Sequence, residues 1–127
     1  MKYLLDTHTI IWYFDNLSKI TPTAKNIVDD DDNKIYISAI SLWEITIKLN
    51  LKKLTVNFTI NELLNDINSG DFIMLQIEDR YLKRLSSLSF IHKDPFDRLL
   101  IATAIAEGLT IITVDENIQK YDVSWIW

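Results

Sequence analysis

The chain has 127 residues, 48% of them hydrophobic and 24% charged, enough for one compact core of roughly 14 Å radius of gyration and too few for two. It has no cysteine, which excludes disulfides, thiolate metal sites and cysteine nucleophiles. No apolar run approaches the ~18 residues needed to span a bilayer and no leader pattern opens the chain, so one soluble, cytoplasmic domain away from the membrane is expected.

Tyr3 to Leu5 reads as a short strand buried on both faces, ended by Asp6. A helix over Thr9 to Phe14 follows, with Trp12, Tyr13 and Phe14 forming a candidate partner surface. Pro22 to Asp29 reads as a helix capped by Thr21, and the acidic run Asp29 to Asp32 as a solvated loop. Ile35 to Ile37 is the second strand. The next helix, Ile40 to Leu49, sets Trp43 on a core face with Ile40 and Ile47. Then come a helix over Ile60 to Asn68 behind Thr59, a strand over Phe72 to Leu75 and a helix over Glu78 to Leu85. Pro95 to Glu107 reads as a helix stopped by Gly108, followed by a strand over Leu109 to Val114 and a short edge strand over Val123 to Trp125. This alternation predicts right-handed crossovers and a three-layer α/β/α sandwich around a mostly parallel sheet of four to five strands, with residues 1–127 forming one domain.

Four acids stand out against the apolar strands: Asp6, Glu44, Asp97 and Asp115. In open α/β sheets the ligand crevice lies beyond the carboxyl ends of the strands, where Asp6 and Asp115 fall, and the helices carrying Glu44 and Asp97 are able to reach the same edge. Carboxylates gathered there repel one another and require protons or cations, so clustered oxygens imply a divalent metal. Each acid also has a structural explanation. Asp94 before Pro95 is a helix cap with Asp97 in the first turn. Ser41 with Glu44 fits a capping box, and Glu44 with Lys48 an ion pair one helical turn apart. Asp6 and Asp115 fit caps or turns.

The hydroxyls of Thr7, Ser38, Ser41 and Thr113 are placed to hold water or orient a carboxylate, and lack a histidine base that would make them nucleophiles. His8 and His92 read as loop or packing residues rather than zinc ligands. Lys48 and Arg98 are candidates for holding phosphate, although Arg98 fits equally a pair with Asp94. The net charge of −5 is distributed unevenly: setting aside Asp29 to Asp32 and the four proposed site acids leaves ten acids against thirteen bases. That remainder is compatible with a phosphate-bearing partner.

Three segments together resemble the PIN domain, and within it the VapC-type toxins of bacterial toxin-antitoxin pairs. They are Leu4-Leu5-Asp6-Thr7-His8-Thr9, Ile37-Ser38-Ala39-Ile40-Ser41-Leu42-Trp43-Glu44, and Asp94-Pro95-Phe96-Asp97-Arg98 with Ile111-Ile112-Thr113-Val114-Asp115 after it. Order and spacing agree over essentially the whole chain. The resemblance implies that Asp6, Glu44, Asp97 and Asp115 hold Mg²⁺ or Mn²⁺ for RNA cleavage, that Thr113 supports the site and that Asp94 is auxiliary. It also implies a homodimer and a cognate antitoxin protein that silences the activity.

Such a site hydrolyses a phosphodiester with water, leaving a 5′-phosphate and a 3′-hydroxyl. A catalytically silent RNA- or protein-binding module is the alternative. A phosphatase working through an aspartyl-phosphate is disfavoured, because Asp6-Thr7-His8 lacks the second acid of an Asp-x-Asp pair.

Overall fold

A computed structural model describes residues 1–127. Five strands, β1 (Lys2–Leu5), β2 (Lys34–Ser38), β3 (Phe72–Leu75), β4 (Thr110–Ile112) and β5 (Trp125–Ile126), form one sheet in the order β3-β2-β1-β4-β5. Every pairing is parallel. The helices are α1 (Thr7–Asp15), α2 (Pro22–Asp29), α3 (Ala39–Asn50), α4 (Ile60–Ser69), α5 (Asp79–Ser86), α6 (Pro95–Glu107) and α7 (Glu116–Gln119). No helix is long and apolar enough to cross a membrane.

Alternation along the strands builds two cores. Tyr3, Leu5, Ile35, Ile37 and Ile112 face Ile10 and Ile11 of α1, Val28 of α2, Leu42 and Ile45 of α3 and Leu63 and Ile67 of α4. Leu4 and Ile111 point the other way, onto Leu100, Ile101 and Ala104 of α6 with Ile118 and Tyr121. The result is the expected α/β/α sandwich. Each fully buried Leu or Ile contributes about 1.5–3 kcal/mol relative to exposure, so these strands are held by both faces.

Local signals set the ends of α6. Asp94 Oδ1 accepts from the backbone N–H groups of Phe96 at 2.9 Å and Asp97 at 3.0 Å, and Pro95 occupies the first position. Gly108, at φ 67 and ψ 39, closes the helix in the left-handed conformation that glycine tolerates best.

Four expectations are corrected. The helix after β2 begins at Ala39 with Ser38 as its cap, so Ser41 and Glu44 lie inside α3 and form no capping box. Trp43 is 59% exposed because Ser41, Leu42, Glu44 and Ile45 take the inward face, leaving its ring edge-on to Phe96 at 5.3 Å. The last central strand ends at Ile112, and Asp115 caps a short helix, α7, that periodicity did not indicate. Trp12, Tyr13 and Phe14 are partly buried against the larger core: Phe14 lies 5.6 Å from Phe72, and Trp12 lies 5.8 Å from Trp127.

Candidate active site

The carboxyl edge of β1 and β4 carries the first two acids. Asp6 follows β1 directly and is only 2% exposed. Its Oδ1 accepts from Thr9 N–H at 2.8 Å as the cap of α1, and its Oδ2 accepts from the Thr113 hydroxyl. Burial pushes its carboxyl above the ordinary range, while these hydrogen bonds and the nearby His8 pull the other way. Thr113 follows β4 and also accepts from Asp115 N–H at 3.0 Å, so one buried hydroxyl joins the segments bearing Asp6 and Asp115. Asp115 itself caps α7 by accepting from Asn117 N–H at 2.8 Å.

Glu44 reaches the same edge from α3 and is 4% exposed. Its Oε1 accepts from Thr7 at 2.8 Å, and its Oε2 meets Lys48 Nζ at 2.6 Å. Ser41 lies 3.1 Å from Thr7, so α1 and α3 are clamped together by hydroxyls around this carboxylate. Lys48 is thus committed to Glu44 while its side chain stays part-exposed.

Asp97 sits in the first turn of α6. Its pKa is pushed up to about 6, chiefly by burial and further by the negative charge of Asp94, Asp115 and Glu44, while a hydrogen bond from His92 opposes the rise. That influence links Asp97 to its own helix cap and to acids on two other segments. His92 Nε2 lies 3.2 Å from Asp97 Oδ2. Reading His92 as a packing residue missed this contact; its position two residues before the Asp94-Pro95 cap, on the approach to Asp97, was the available signal.

Arg98 departs from both roles considered for it. Helical rotation turns it away from Asp97, and it is only 7% exposed. Its guanidinium donates to the Ser89 carbonyl at 2.8 Å, the Tyr121 hydroxyl at 3.0 Å and the Leu88 carbonyl at 3.4 Å, and stacks on Phe90 at 4.2 Å. Three of its five donors are taken there and none meets Asp94, so burial and these bonds give it a structural role. Asp94 serves as the α6 cap.

The acids meet at one edge without forming a ready-made cage: no three His, Asp or Glu side chains are close enough together to hold a metal ion as they stand. No cleft of the molecule is lined by the four acids either, and Asp6 and Glu44 are almost wholly buried at this edge. Its chemistry nevertheless fits a hard divalent cation. The donors are carboxylate oxygens, burial together with neighbouring negative charge raises Asp97 to about 6, and Mg²⁺ takes only one or two protein carboxylates beside water and substrate phosphate.

An all-parallel five-stranded sheet between layers of helices places this protein in the α/β class. Residues 3–124 match the PIN domain, and the chain belongs to that family. Among solved structures it is similar to VapBC2 from Rickettsia felis bound to a DNA fragment from its promoter. There the TM-score is 0.75 at 20% identity, covering 100% of this chain and 99% of that one. DNA-bound VapBC from Salmonella typhimurium gives 0.72 at 15% identity, covering 99% and 97%. FitAcB from Neisseria gonorrhoeae gives 0.67 at 20%, covering 98% and 96%. These are likenesses of fold. No curated protein matches the sequence.

Proposed function

We propose that this chain is a VapC-type toxin: a Mg²⁺- or Mn²⁺-dependent endoribonuclease that hydrolyses RNA phosphodiester bonds in the cytoplasm, forms a homodimer and is restrained by a cognate antitoxin protein. The observation that carries the reading is the convergence of Asp6, Glu44, Asp97 and Asp115 on one sheet edge, with Asp97 held near 6 by burial and by its acidic neighbours. Membership of the PIN family supports nuclease chemistry. The VapBC structures of like fold, being toxin-antitoxin assemblies, support the partner.

A divalent cation bound here supplies an activated water and neutralises charge on the leaving oxygen. The chain's own residues supply preorganisation. Thr9 and Thr113 fix the two oxygens of Asp6, Thr7 and Lys48 fix those of Glu44, and His92 holds one oxygen of Asp97. Arg98 being internal, the cations left for the RNA backbone are exposed lysines such as Lys52, Lys53 and Lys93.

The test is cleavage of RNA by purified protein with Mg²⁺ or Mn²⁺, giving 5′-phosphate ends, and its loss in Asp6→Asn and Asp97→Asn variants whose circular dichroism is native. Full cutting in excess chelator, or in both variants, overturns the reading. The missing cage favours one rival, a silent module that binds RNA or protein through the same edge. Metal titration separates them, because such a module binds its partner equally well in chelator.

A further inference from the structure

Outside the four acids, a connected polar group runs behind Asp97. Tyr121 is 5% exposed and its hydroxyl has three partners. His92 backbone N–H reaches it at 3.2 Å, Arg98 Nη1 at 3.0 Å and His92 Nδ1 at 2.8 Å. The first two can only donate. A phenol oxygen accepts about two hydrogen bonds and has one proton to give, so that proton goes to the remaining neighbour, Nδ1. A neutral imidazole with Nδ1 accepting carries its own proton on Nε2, the nitrogen that faces Asp97 Oδ2 at 3.2 Å. With a neutral His92, counting donors favours one direction for every bond from Arg98 through Tyr121 and His92 to Asp97.

We propose that His92 and Tyr121 are positioning residues for Asp97: the Arg98–Tyr121–His92 relay fixes His92 as an Nε2–H donor, which occupies Asp97 Oδ2 and leaves Oδ1 as the oxygen that would be available to a cation. This rests on the nuclease reading above. It accounts for an otherwise costly feature, a buried arginine beside a site acid whose charge is spent on carbonyls and a phenol. It also gives the segment from Ser87 to Asp94 a task. Its carbonyls at Leu88 and Ser89 anchor the guanidinium, and its His92 delivers the donor. A carboxylate that one strong donor orients loses less freedom when it ligates, which is how hydrogen-bonded supports of metal ligands raise affinity.

The contacts alone would equally serve to pin this loop onto α6, so the test needs readouts that loop anchoring does not move. In the metal-free wild type, two-bond proton–nitrogen correlation spectra should show His92 as the Nε2–H tautomer, and in Tyr121→Phe the population of that tautomer should fall. Mn²⁺ affinity, measured by electron paramagnetic resonance without RNA, should fall about 10-fold or more in Tyr121→Phe and His92→Ala. His92→Gln, whose amide N–H stands where Nε2–H stood, should recover most of the loss. An Nδ1–H tautomer in the wild type overturns the proposal. So does wild-type Mn²⁺ affinity in both Tyr121→Phe and His92→Ala, or a His92→Gln as weak as His92→Ala. A wild-type protein that binds no Mn²⁺ and cuts no RNA overturns the nuclease reading, and this one with it. Wild-type binding and cutting with unchanged variants overturns this one alone.

Discussion

The Thr7 hydroxyl donates to Glu44 Oε1 across 2.8 Å, joining residues 37 positions apart in the sequence and tying the first turn of α1 to the middle of α3. Both are buried, and Lys48 takes the other oxygen at 2.6 Å. Thr7→Val keeps the shape and removes the donor, leaving a buried carboxylate oxygen short of a partner. A bond to a charged group of this kind contributes about 1.5–3 kcal/mol, so the urea midpoint should fall accordingly. Glu44 also loses its fixed orientation, and RNA cleavage should drop by about 10–100-fold. Unchanged cleavage in a destabilised Thr7→Val would show that the clamp serves stability alone.

Gly108 offers a prediction confined to backbone conformation. It ends α6 at φ 67, and a Cβ built there meets nothing within 4 Å. Gly108→Ala therefore carries no steric clash, only the cost of the left-handed region, about 1–2 kcal/mol. Gly108→Asn should cost less, since asparagine visits that region more readily. Equal urea midpoints for wild type and Gly108→Ala would contradict this.

Much of this architecture is legible from local rules, because local rules generate it. Short apolar runs alternate with helical stretches at crossover spacing, and Thr21, Thr59 and the Asp94-Pro95 to Gly108 signals mark helix ends that the structure reproduces at the same residues. Asp6 and Asp115 are assignable to one edge because both follow strands of a sheet expected to be parallel, and the structure pairs β1 with β4. What stays hidden depends on contacts distant in sequence. His92 meets Tyr121 across 29 positions, and nothing local to either announces it. The inward face of α3 is ambiguous for a different reason. Ile40, Leu42, Trp43, Ile45, Ile47 and Leu49 put apolar side chains all around the helix, so periodicity cannot say that Trp43 faces out. Arg98 misleads because a charge beside a site acid invites a functional role, whereas the turn of the helix buries it.

Asp6 separates function from stability most cleanly. Its carboxyl is buried, which raises its pKa, and its cap bond to Thr9 is one that asparagine makes equally well. Asp6→Asn therefore removes a buried charge while keeping the cap, and its amide N–H can donate to the Thr113 hydroxyl that now donates to Oδ2. In metal-free buffer the variant should melt at or above the wild-type temperature, and it should bind Mn²⁺ far more weakly. A lowered melting temperature together with intact Mn²⁺ binding would assign Asp6 to the fold and not to the site.

The pH dependence of stability should carry the signature of crowded acids. Folded Asp97 titrates at about 6, against an ordinary value of 3.8, and burial raises Asp6 in the same direction. Between those two values the folded protein holds a proton that the unfolded chain has released, so the contribution is fully present below about pH 4 and is lost as pH rises through 6. Asp29 and Glu78, held low by Lys25 and by Tyr81 with Arg80 respectively, act in the opposite sense, so the Asp97 contribution is best isolated by difference. In chelator, the melting temperature of Asp97→Asn minus that of wild type should grow from pH 4 to pH 7. Mg²⁺ at 100 times its dissociation constant should then restore about 2.7 kcal/mol to the wild type at pH 7, and much less to the variant. A difference that stays flat across this range would mean that Asp97 feels neither its burial nor its acidic neighbours.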